Sequence, residues 1–170
     1  MKHYKTAESV TKGHPDKLCD YIADSILDSY LQKDPESRVA VEVMATKGLI
    51  LVAGEVTSTA KVHIRKVVKY TLRSAGYTPS EFRIKVRLHK QSPDIARGVN
   101  RSEDLLGAGD QGIVYGYATD ETPGFLPLAL VLARRLTSRL EEVRENSVVS
   151  GLKPDGKCLV TVEYEEDEAS

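Results

Sequence analysis

The chain has 170 residues, of which 41% are hydrophobic and 29% charged, and its formal net charge at pH 7 is −1. This composition is typical of a soluble globular protein, and it has no basic excess of the kind that indicates a nucleic-acid or membrane partner. The first residues carry no apolar signal segment, and the longest apolar run, 125–133, is too short to cross a bilayer. We therefore expect a cytoplasmic protein whose two cysteines, Cys19 and Cys158, are reduced.

The first predicted helix covers residues 17–33 and follows a short N-terminal strand. Its apolar residues recur every four positions: Leu18, Ile22, Ile26 and Tyr30. This spacing places them on one face of a helix, which we expect to be buried. The helix must end near Asp34, because the residue before Pro35 is disfavoured in the helical region.

A β-hairpin is predicted next, from strands 38–46 and 49–57 around a turn at Lys47-Gly48. Valines alternate with other residues in the first strand, so one face is expected to be buried. Glu42 and Glu55 lie on these strands among apolar neighbours. The alternation favours a solvent-facing position for both, since a buried unpaired carboxylate is costly. The functional alternative is that one binds a cation and the other a substrate ammonium group.

A second helix is predicted for 60–75, with Gly76 as its left-handed cap. Five of its residues are expected to face the core: Ile64, Val67, Val68, Thr71 and Leu72. The strand that follows, 82–88, alternates apolar residues with Arg83, Lys85 and Arg87, which indicates a half-buried strand with a solvated basic face.

Residues 90–112 break the regular pattern and form a long polar loop, which in a compact domain is usually functional or mobile. Glycines at 107, 109 and 112 superficially resemble a dinucleotide-binding fingerprint. That fingerprint requires a strand before it and a helix after it, whereas this segment precedes a strand, so we reject the interpretation. The segment is either a flexible turn or a close approach to a ligand, with Asp110 as the polar contact.

The remaining elements are a strand at 113–118, a helix from 126 or 127 to about 145, and a strand at 157–165. The predicted core stripe of this helix is Leu128, Val131, Leu132, the stem of Arg135, Leu136 and Leu140. The acidic end, 165–170, is either a tail or a hairpin turn whose second strand is absent. Hairpins interrupt the alternation of strands and helices, so we predict an α+β fold with helices on small mixed sheets.

Two short segments present charged groups where chain direction changes. In Gly13-His14-Pro15-Asp16-Lys17, a histidine, an acid and a lysine meet at a helix start, where unpaired backbone N–H groups attract anions. The alternative to an anion-binding site is that these residues only begin the helix. In Asp155-Gly156-Lys157, the lysine is a suitable point charge for phosphate, although a surface turn has the same composition.

The whole set of motifs resembles the S-adenosylmethionine synthase (methionine adenosyltransferase) family. The resemblance rests on segments in this order: Thr6-Ala7-Glu8-Ser9-Val10, Gly13-His14-Pro15-Asp16-Lys17, Lys90-Gln91-Ser92-Pro93-Asp94-Ile95, Gly107-Ala108-Gly109-Asp110-Gln111-Gly112, Gly116-Tyr117-Ala118-Thr119 and Pro154-Asp155-Gly156-Lys157. It covers essentially the whole chain. It implies transfer of the adenosyl group of ATP to L-methionine, with release of phosphate and diphosphate and with help from Mg²⁺ and K⁺.

The resemblance also implies roles for individual residues. The ATP-binding residues would be His14, Asp110, Asp155, Gly156 and Lys157, of which His14 and Lys157 would be catalytic. Methionine would contact Glu55, Gln91 and Asp110. Asp16 would bind Mg²⁺ and Glu42 would bind K⁺. The gating loop would include Gln91, Ser92, Pro93, Asp94 and Arg101.

The implied domains are an N-terminal domain at 1–93, a mobile gating loop at 94–108 and the first part of a middle domain at 109–170. The full-length family implies a homodimer or homotetramer. Later phosphate-binding segments of the family are absent here, so we expect the 170 residues alone to be inactive. The alternative is a non-catalytic ATP- and Mg²⁺-binding or assembly module that pairs with a partner chain.

Overall fold

The computed structural model describes residues 1–90 and 112–165, and it confirms the α+β class. The elements in chain order are β1 (Lys2–Val10), α1 (Pro15–Leu31), β2 (Arg38–Thr46), β3 (Leu49–Thr57), α2 (Ile64–Ser74), a 3-10 turn (Pro79–Glu81), β4 (Arg83–His89), α3 (Leu128–Glu145) and β5 (Lys157–Glu165). The predicted bounds of β2, β3 and β5 are confirmed. Within the described ranges, no helix is both long and apolar enough to span a membrane.

The chain divides into two compact units. The first contains residues 1–18, 75–77 and the described part of 116–170. Its sheet pairs β1 with β5 in antiparallel register, from Lys2 opposite Glu165 to Val10 opposite Lys157. Helix α3 packs on one face of this sheet. The other face is exposed and carries side chains such as Glu8 and Lys157.

The buried face of α3 differs from the prediction. Its buried residues are Ala129, Ala133 and Thr137, whereas Leu136, assigned to the core stripe, is 53% exposed. Small side chains let the helix approach the sheet closely, and the hydroxyls of Ser9 and Thr137 meet at 2.9 Å. Apolar periodicity identified the largest side chains of this helix, but the closest packing is made by the smallest.

The second unit contains residues 19–74, 78–90 and 112–115 among those described. Its three-stranded sheet has the order β2-β3-β4, in which β2 and β3 are antiparallel and β3 and β4 are parallel. This arrangement confirms the hairpin and the mixed character of the sheet. The fully buried large side chains of this unit are Ile22, Ile26, Ile50, Val52, Val68, Thr71 and Leu72.

Helix α2 begins at Ile64, four residues later than predicted. Residues 59 and 60 are bound by side chains outside the helix: Thr59 donates its N–H to the Asp34 carboxylate at 2.7 Å, and Ala60 donates its N–H to the Ser58 hydroxyl at 2.9 Å. The C-terminal cap is as predicted, with Gly76 at φ +94°. A left-handed φ of this kind favours glycine.

The strand predicted at 113–118 is wrong. Residues 112–119 form neither helix nor strand, and Ile113, Val114 and Tyr115 are 79%, 96% and 87% exposed. The β-branched and aromatic residues of this segment give it strand propensity, but a strand also needs a neighbour for its backbone groups. None of the five described strands pairs with this segment.

Candidate functional site

A cleft of about 260 Å³ lies in the first unit, where β1 ends, α1 begins and the first half of α3 passes. Its lining residues are Glu8, Ser9, Val10, His14, Asp16, Lys17, Leu130, Arg134 and Lys157. Three residues singled out by sequence, His14, Asp16 and Lys157, therefore border the same space. They come from segments separated by about 140 positions in the chain.

Two hydrogen bonds from Thr11 fasten the segment that carries His14 to the segment that carries Lys157. Thr11 donates its N–H to the Gly156 carbonyl at 2.9 Å and its hydroxyl to the Pro154 carbonyl at 2.7 Å. Tyr77 donates its phenolic hydrogen to the Gly13 carbonyl at 2.7 Å. A Cβ at Gly13 would lie 2.5 Å from the carbonyl carbon of Pro154, so only glycine fits there. The segment that carries His14 is consequently held in a fixed position against the segment that carries Lys157.

His14 caps α1 and turns its imidazole towards the following backbone. Its carbonyl accepts the first helical hydrogen bond, from Leu18 at 2.8 Å, and its Nδ1 accepts the N–H of Asp16 at 3.3 Å. A neutral imidazole that accepts at Nδ1 carries its hydrogen at Nε2. Its side chain is 21% exposed. His14 can therefore act both as the helix entry and as a hydrogen-bond donor through Nε2.

Asp16 presents its carboxylate at the cleft with 92% of the side chain exposed, and its Oδ2 lies 3.9 Å from His14 Nδ1. Among the described residues, no group of three or more histidine, cysteine, aspartate or glutamate side chains could hold a metal ion. Mg²⁺ commonly uses one or two carboxylates and completes its shell with phosphate oxygens and water. Asp16, with Glu8 on the same cleft, fits that kind of site and not an all-protein cage.

Lys157 begins β5 and pairs with Glu8, with 2.8 Å between Nζ and Oε2. Both side chains are about half exposed, at 50% and 53%, and exposed ion pairs of this kind contribute little stability. An anionic ligand can therefore replace Glu8 as the partner of the Lys157 ammonium group with little loss of stability.

The other two residues of the Asp155-Gly156-Lys157 segment do not line the cleft. A Cβ at Gly156 would lie 2.8 Å from Leu140 Cδ2, the end of a flexible side chain, so the backbone at Gly156 packs closely against α3. Asp155 is exposed, and its charge adds to burial in raising the pKa of Tyr77 above the ordinary value. Both residues are therefore next to Lys157 in the chain but outside the lining of the cleft.

Glu42 and Glu55 belong to the second unit, on the outer face of its sheet. Glu42 is opposite Ala53, and Glu55 is opposite Ala40 on one side and His89 on the other. Glu42 is exposed and Glu55 is partly exposed, as the strand alternation predicts. The remaining predicted site residues, Gln91, Ser92, Pro93, Asp94, Arg101 and Asp110, lie outside the described residues.

Sequence reasoning missed Arg134 and gave no role to Glu8 or Lys17, although all three line the cleft. Glu8 lies in the segment 6–10 and Lys17 in the segment 13–17, and both segments carry the family resemblance, so their position in the sequence already indicated a role. Nothing in the sequence indicated Arg134, because helix periodicity cannot tell which polar residue borders a cleft.

The cleft is lined by three basic side chains, Lys17, Arg134 and Lys157, and by two acidic ones, Glu8 and Asp16. With His14 counted as neutral, the sum of these charges is +1.

The fold and the cleft define a small α+β protein with a positively charged cleft at a helix start. Two family models match the chain: S-adenosylmethionine synthetase, N-terminal domain, at residues 2–96, and S-adenosylmethionine synthetase, central domain, at residues 105–170. The chain therefore belongs to the S-adenosylmethionine synthetase family.

Its relatives are enzymes named S-adenosylmethionine synthase. The Clostridium tetani protein is 45% identical over 99% of this chain and 48% of its own length. The Pseudothermotoga lettingae protein is 48% identical over 98% of this chain and 47% of its own length. The chain thus spans about half the length of the curated relatives it matches.

Proposed function

We propose that the protein forms S-adenosylmethionine from ATP and L-methionine and releases phosphate and diphosphate. The relatives' names support this reaction. The observation that carries the proposal for this chain is the convergence of His14, Asp16 and Lys157 on one cleft. An imidazole, a carboxylate and an ammonium group are what a triphosphate and its magnesium ion require.

In the proposed reaction, a lone pair on the methionine sulfur attacks the ribose 5′ carbon of ATP. The carbon–oxygen bond to the triphosphate breaks, and its electron pair leaves with that oxygen. Water then splits the triphosphate into phosphate and diphosphate. Sulfur is already nucleophilic, so the barrier lies in alignment and in the charge that develops on the leaving triphosphate.

His14 and Lys157 are proposed to stabilise that charge. His14 donates from Nε2, because its Nδ1 is occupied by the Asp16 N–H at 3.3 Å. Lys157 is available because its pair with Glu8 is half exposed. Asp155 and Gly156 are proposed to complete the ATP site by holding the Lys157 segment in place, together with Asp110.

Asp16 is proposed as a Mg²⁺ ligand, with Glu8 as a second oxygen donor on the same cleft. Mg²⁺, when bound, supplies charge neutralisation at the phosphate oxygens. Glu42 is proposed as one oxygen ligand of K⁺, since its exposed carboxylate has no ion pair with the described part of the chain.

Methionine is proposed to bind through Glu55, Gln91 and Asp110. Glu55 lies opposite His89 at the end of β4, and Gln91 follows His89 by two positions along the chain. A carboxylate suits the ammonium group of an amino acid. We also propose a gating loop at 94–108, between an N-terminal domain that ends at 93 and a middle domain that begins at 109. Residues proposed to take part in gating are Gln91, Ser92, Pro93, Asp94 and Arg101.

A chimera tests the reaction most sharply. Residues 1–170 replace the matching part of the Clostridium tetani synthase, and the three products are quantified by mass spectrometry. We expect S-adenosylmethionine, phosphate and diphosphate in equal amounts. His14→Ala should lower kcat by about 100-fold, the usual cost of losing one donor to developing charge. The control is His63→Ala, because His63 is exposed and lies outside the cleft.

A folded chimera that binds ATP and makes no S-adenosylmethionine would contradict the proposal. So would equal activity of the His14→Ala and His63→Ala chimeras. In the same assay, Glu55→Gln should raise the KM for methionine and leave the KM for ATP unchanged.

We further propose that residues 1–170 by themselves bind ATP and have negligible turnover, since the chain spans about half the length of its relatives. Incubation with ATP, methionine, Mg²⁺ and K⁺ should give a rate at least about 100-fold below that of the Clostridium tetani protein. A comparable rate would contradict this part of the proposal.

A non-catalytic binding or assembly module is the second candidate, favoured by the exposed apolar segment Ile113-Val114-Tyr115. Such a segment can add to the sheet of a partner chain. Light scattering of the purified chain distinguishes the candidates when combined with the activity assay: the module predicts a stable complex with another chain and an inactive chimera.

A further inference from the structure

We propose that Arg134 is a polyphosphate-binding residue of this cleft. The inference rests on the proposed function, because the polyphosphate is the triphosphate of ATP. It adds a cation on α3 to the groups presented by the start of α1 and the start of β5.

The backbone of Arg134 is held firmly. Its neighbour Ala133 is buried. The carbonyl oxygen of Arg134 accepts a hydrogen bond from the Thr137 hydroxyl at 3.1 Å. Thr137 in turn meets Ser9 of β1 at 2.9 Å. Leu130, four residues before Arg134 on the same side of α3, also lines the cleft. The packed face of α3 therefore fixes the position from which the Arg134 side chain reaches the cleft.

The guanidinium of Arg134 makes no hydrogen bond or ion pair within the part of the chain that the structure describes, although other basic residues of α3 do. Arg139 pairs with Glu142 at 2.6 Å, and Arg144 pairs with Glu145 at 3.2 Å. A basic side chain that lines a cleft and lacks an acidic partner is available for an anionic ligand.

The charges around Arg134 favour an extended anion. Lys17 also lines the cleft without an ion pair to a described carboxylate, and Lys157 shares only the exposed pair with Glu8. A planar guanidinium can bind two phosphate oxygens at once, whereas each lysine acts as a point charge. Arg134 and Lys157 belong to different elements, so a chain of phosphates can engage both.

The dependence on anion length follows from this arrangement. Replacing Arg134 should matter least for orthophosphate, more for diphosphate and most for tripolyphosphate. If the loss of one positive charge acted non-specifically, its effect on anion affinity would be the same at Arg134 as at a neighbouring arginine that does not line the cleft.

Arg135 supplies the matched control. It is the next residue of α3, and it also lacks an ion pair among the described residues. It lines a second groove along α3, which Arg134 borders as well, but it does not line the cleft. Arg135→Gln and Arg134→Gln therefore remove the same charge from adjacent positions, and only Arg134 lines the cleft.

The experiment is calorimetric titration of the 170-residue chain with inorganic tripolyphosphate, diphosphate and orthophosphate. Arg134→Gln should weaken tripolyphosphate binding by about tenfold, and Arg135→Gln by less than about twofold. Arg134→Lys, which keeps the charge and loses the planar fork, should fall between the wild type and Arg134→Gln. Thermal unfolding of each variant verifies that the fold is intact, and Arg134→Lys serves if Arg134→Gln does not fold.

Equal affinities of the Arg134→Gln and Arg135→Gln variants would overturn the role of Arg134 and leave the proposed function standing. Absence of tripolyphosphate binding by the wild-type chain, in a preparation that also fails to bind ATP, would overturn both. A loss at Arg134 that is the same for all three anions would overturn the extended-anion assignment.

Discussion

The phenol of Tyr77 donates a hydrogen bond of 2.7 Å to the carbonyl oxygen of Gly13, the residue immediately before His14. Burial raises the pKa of Tyr77, so the phenol keeps its hydrogen at neutral pH and remains a donor. This bond connects the residues after α2 with the start of α1 inside the first unit. It orients the backbone from which His14 and Asp16 project.

Replacing Tyr77 with phenylalanine removes this donor and leaves the Gly13 carbonyl without it. We expect the free energy of unfolding to fall by about 1 kcal/mol, the usual net contribution of such a bond. Urea unfolding followed by circular dichroism measures the change. Tyr70→Phe is the control, because Tyr70 is 70% exposed. Equal stabilities of the two variants would show that the bond is not a constraint.

Gly13→Ala tests the contact between the two cleft segments. The added methyl would lie 2.5 Å from the carbonyl carbon of Pro154 and would force the segments apart. We expect a destabilisation of about 1–3 kcal/mol, as for other overpacked sites, and weaker ATP binding. Gly124→Ala is the matched control, because a Cβ at Gly124 has no neighbour within 4 Å. A Gly13→Ala protein as stable as Gly124→Ala would contradict the packing argument.

Asp34 gives a pH-dependent prediction in the second unit. Its carboxylate accepts hydrogen bonds from the Thr59 N–H, the Ser58 hydroxyl and the Thr59 hydroxyl, which lower its pKa from 3.8 to about 2. Because the pKa is lowered in the folded state, the stabilisation is present above pH 3.8 and is lost as the pH falls towards 2.

Asp34→Asn should therefore be less stable than the wild type at pH 6, and the difference should shrink between pH 4 and pH 2. Urea midpoints measured at several pH values follow this difference. A gap that stays constant over the whole range would show that ionisation of Asp34 is not the cause.

Glu121 is the corresponding acidic group in the first unit. It accepts from Lys5 of β1 at 2.7 Å, from Tyr164 of β5 at 2.6 Å and from the Leu128 N–H at the start of α3 at 3.1 Å. These bonds lower its pKa from 4.5 to about 2, so its contribution is present above pH 4.5 and disappears as the pH falls towards 2. Glu121→Gln should lower the thermal midpoint at pH 6 and have a smaller effect near pH 2.5. Asp120→Asn, at an exposed neighbour, should change neither value.

Much of the fold follows from local patterns. Alternation and a glycine turn give the bounds of β2 and β3. The apolar spacing of α2 identifies its buried residues Ile64, Val68, Thr71 and Leu72, whereas Val67, expected in the same core, is only half-buried. Local patterns failed where a distant partner decides the outcome. Residues 113–118 have strand propensity but no neighbouring strand among those described. The side of α3 that is buried depends on how closely the β1–β5 sheet approaches it.

The candidate site was predictable to the extent that its residues stand in short motifs. His14, Asp16 and Lys157 were identified in this way, and the structure places them on one cleft. Arg134 has no motif around it and becomes a candidate only when α3 is packed on the sheet. The need for glycine at position 13 arises from Pro154, which is far away in sequence, and local turn chemistry does not predict it.

Binding of the triphosphate of ATP in this cleft requires that the affinity of the chain for Mg²⁺–ATP depend on Lys157. Calorimetric titration of Lys157→Gln should show binding weakened by about tenfold. Lys153→Gln, which removes an exposed lysine outside the cleft, should stay within about twofold of the wild type. Equal affinities of these two variants would contradict the account.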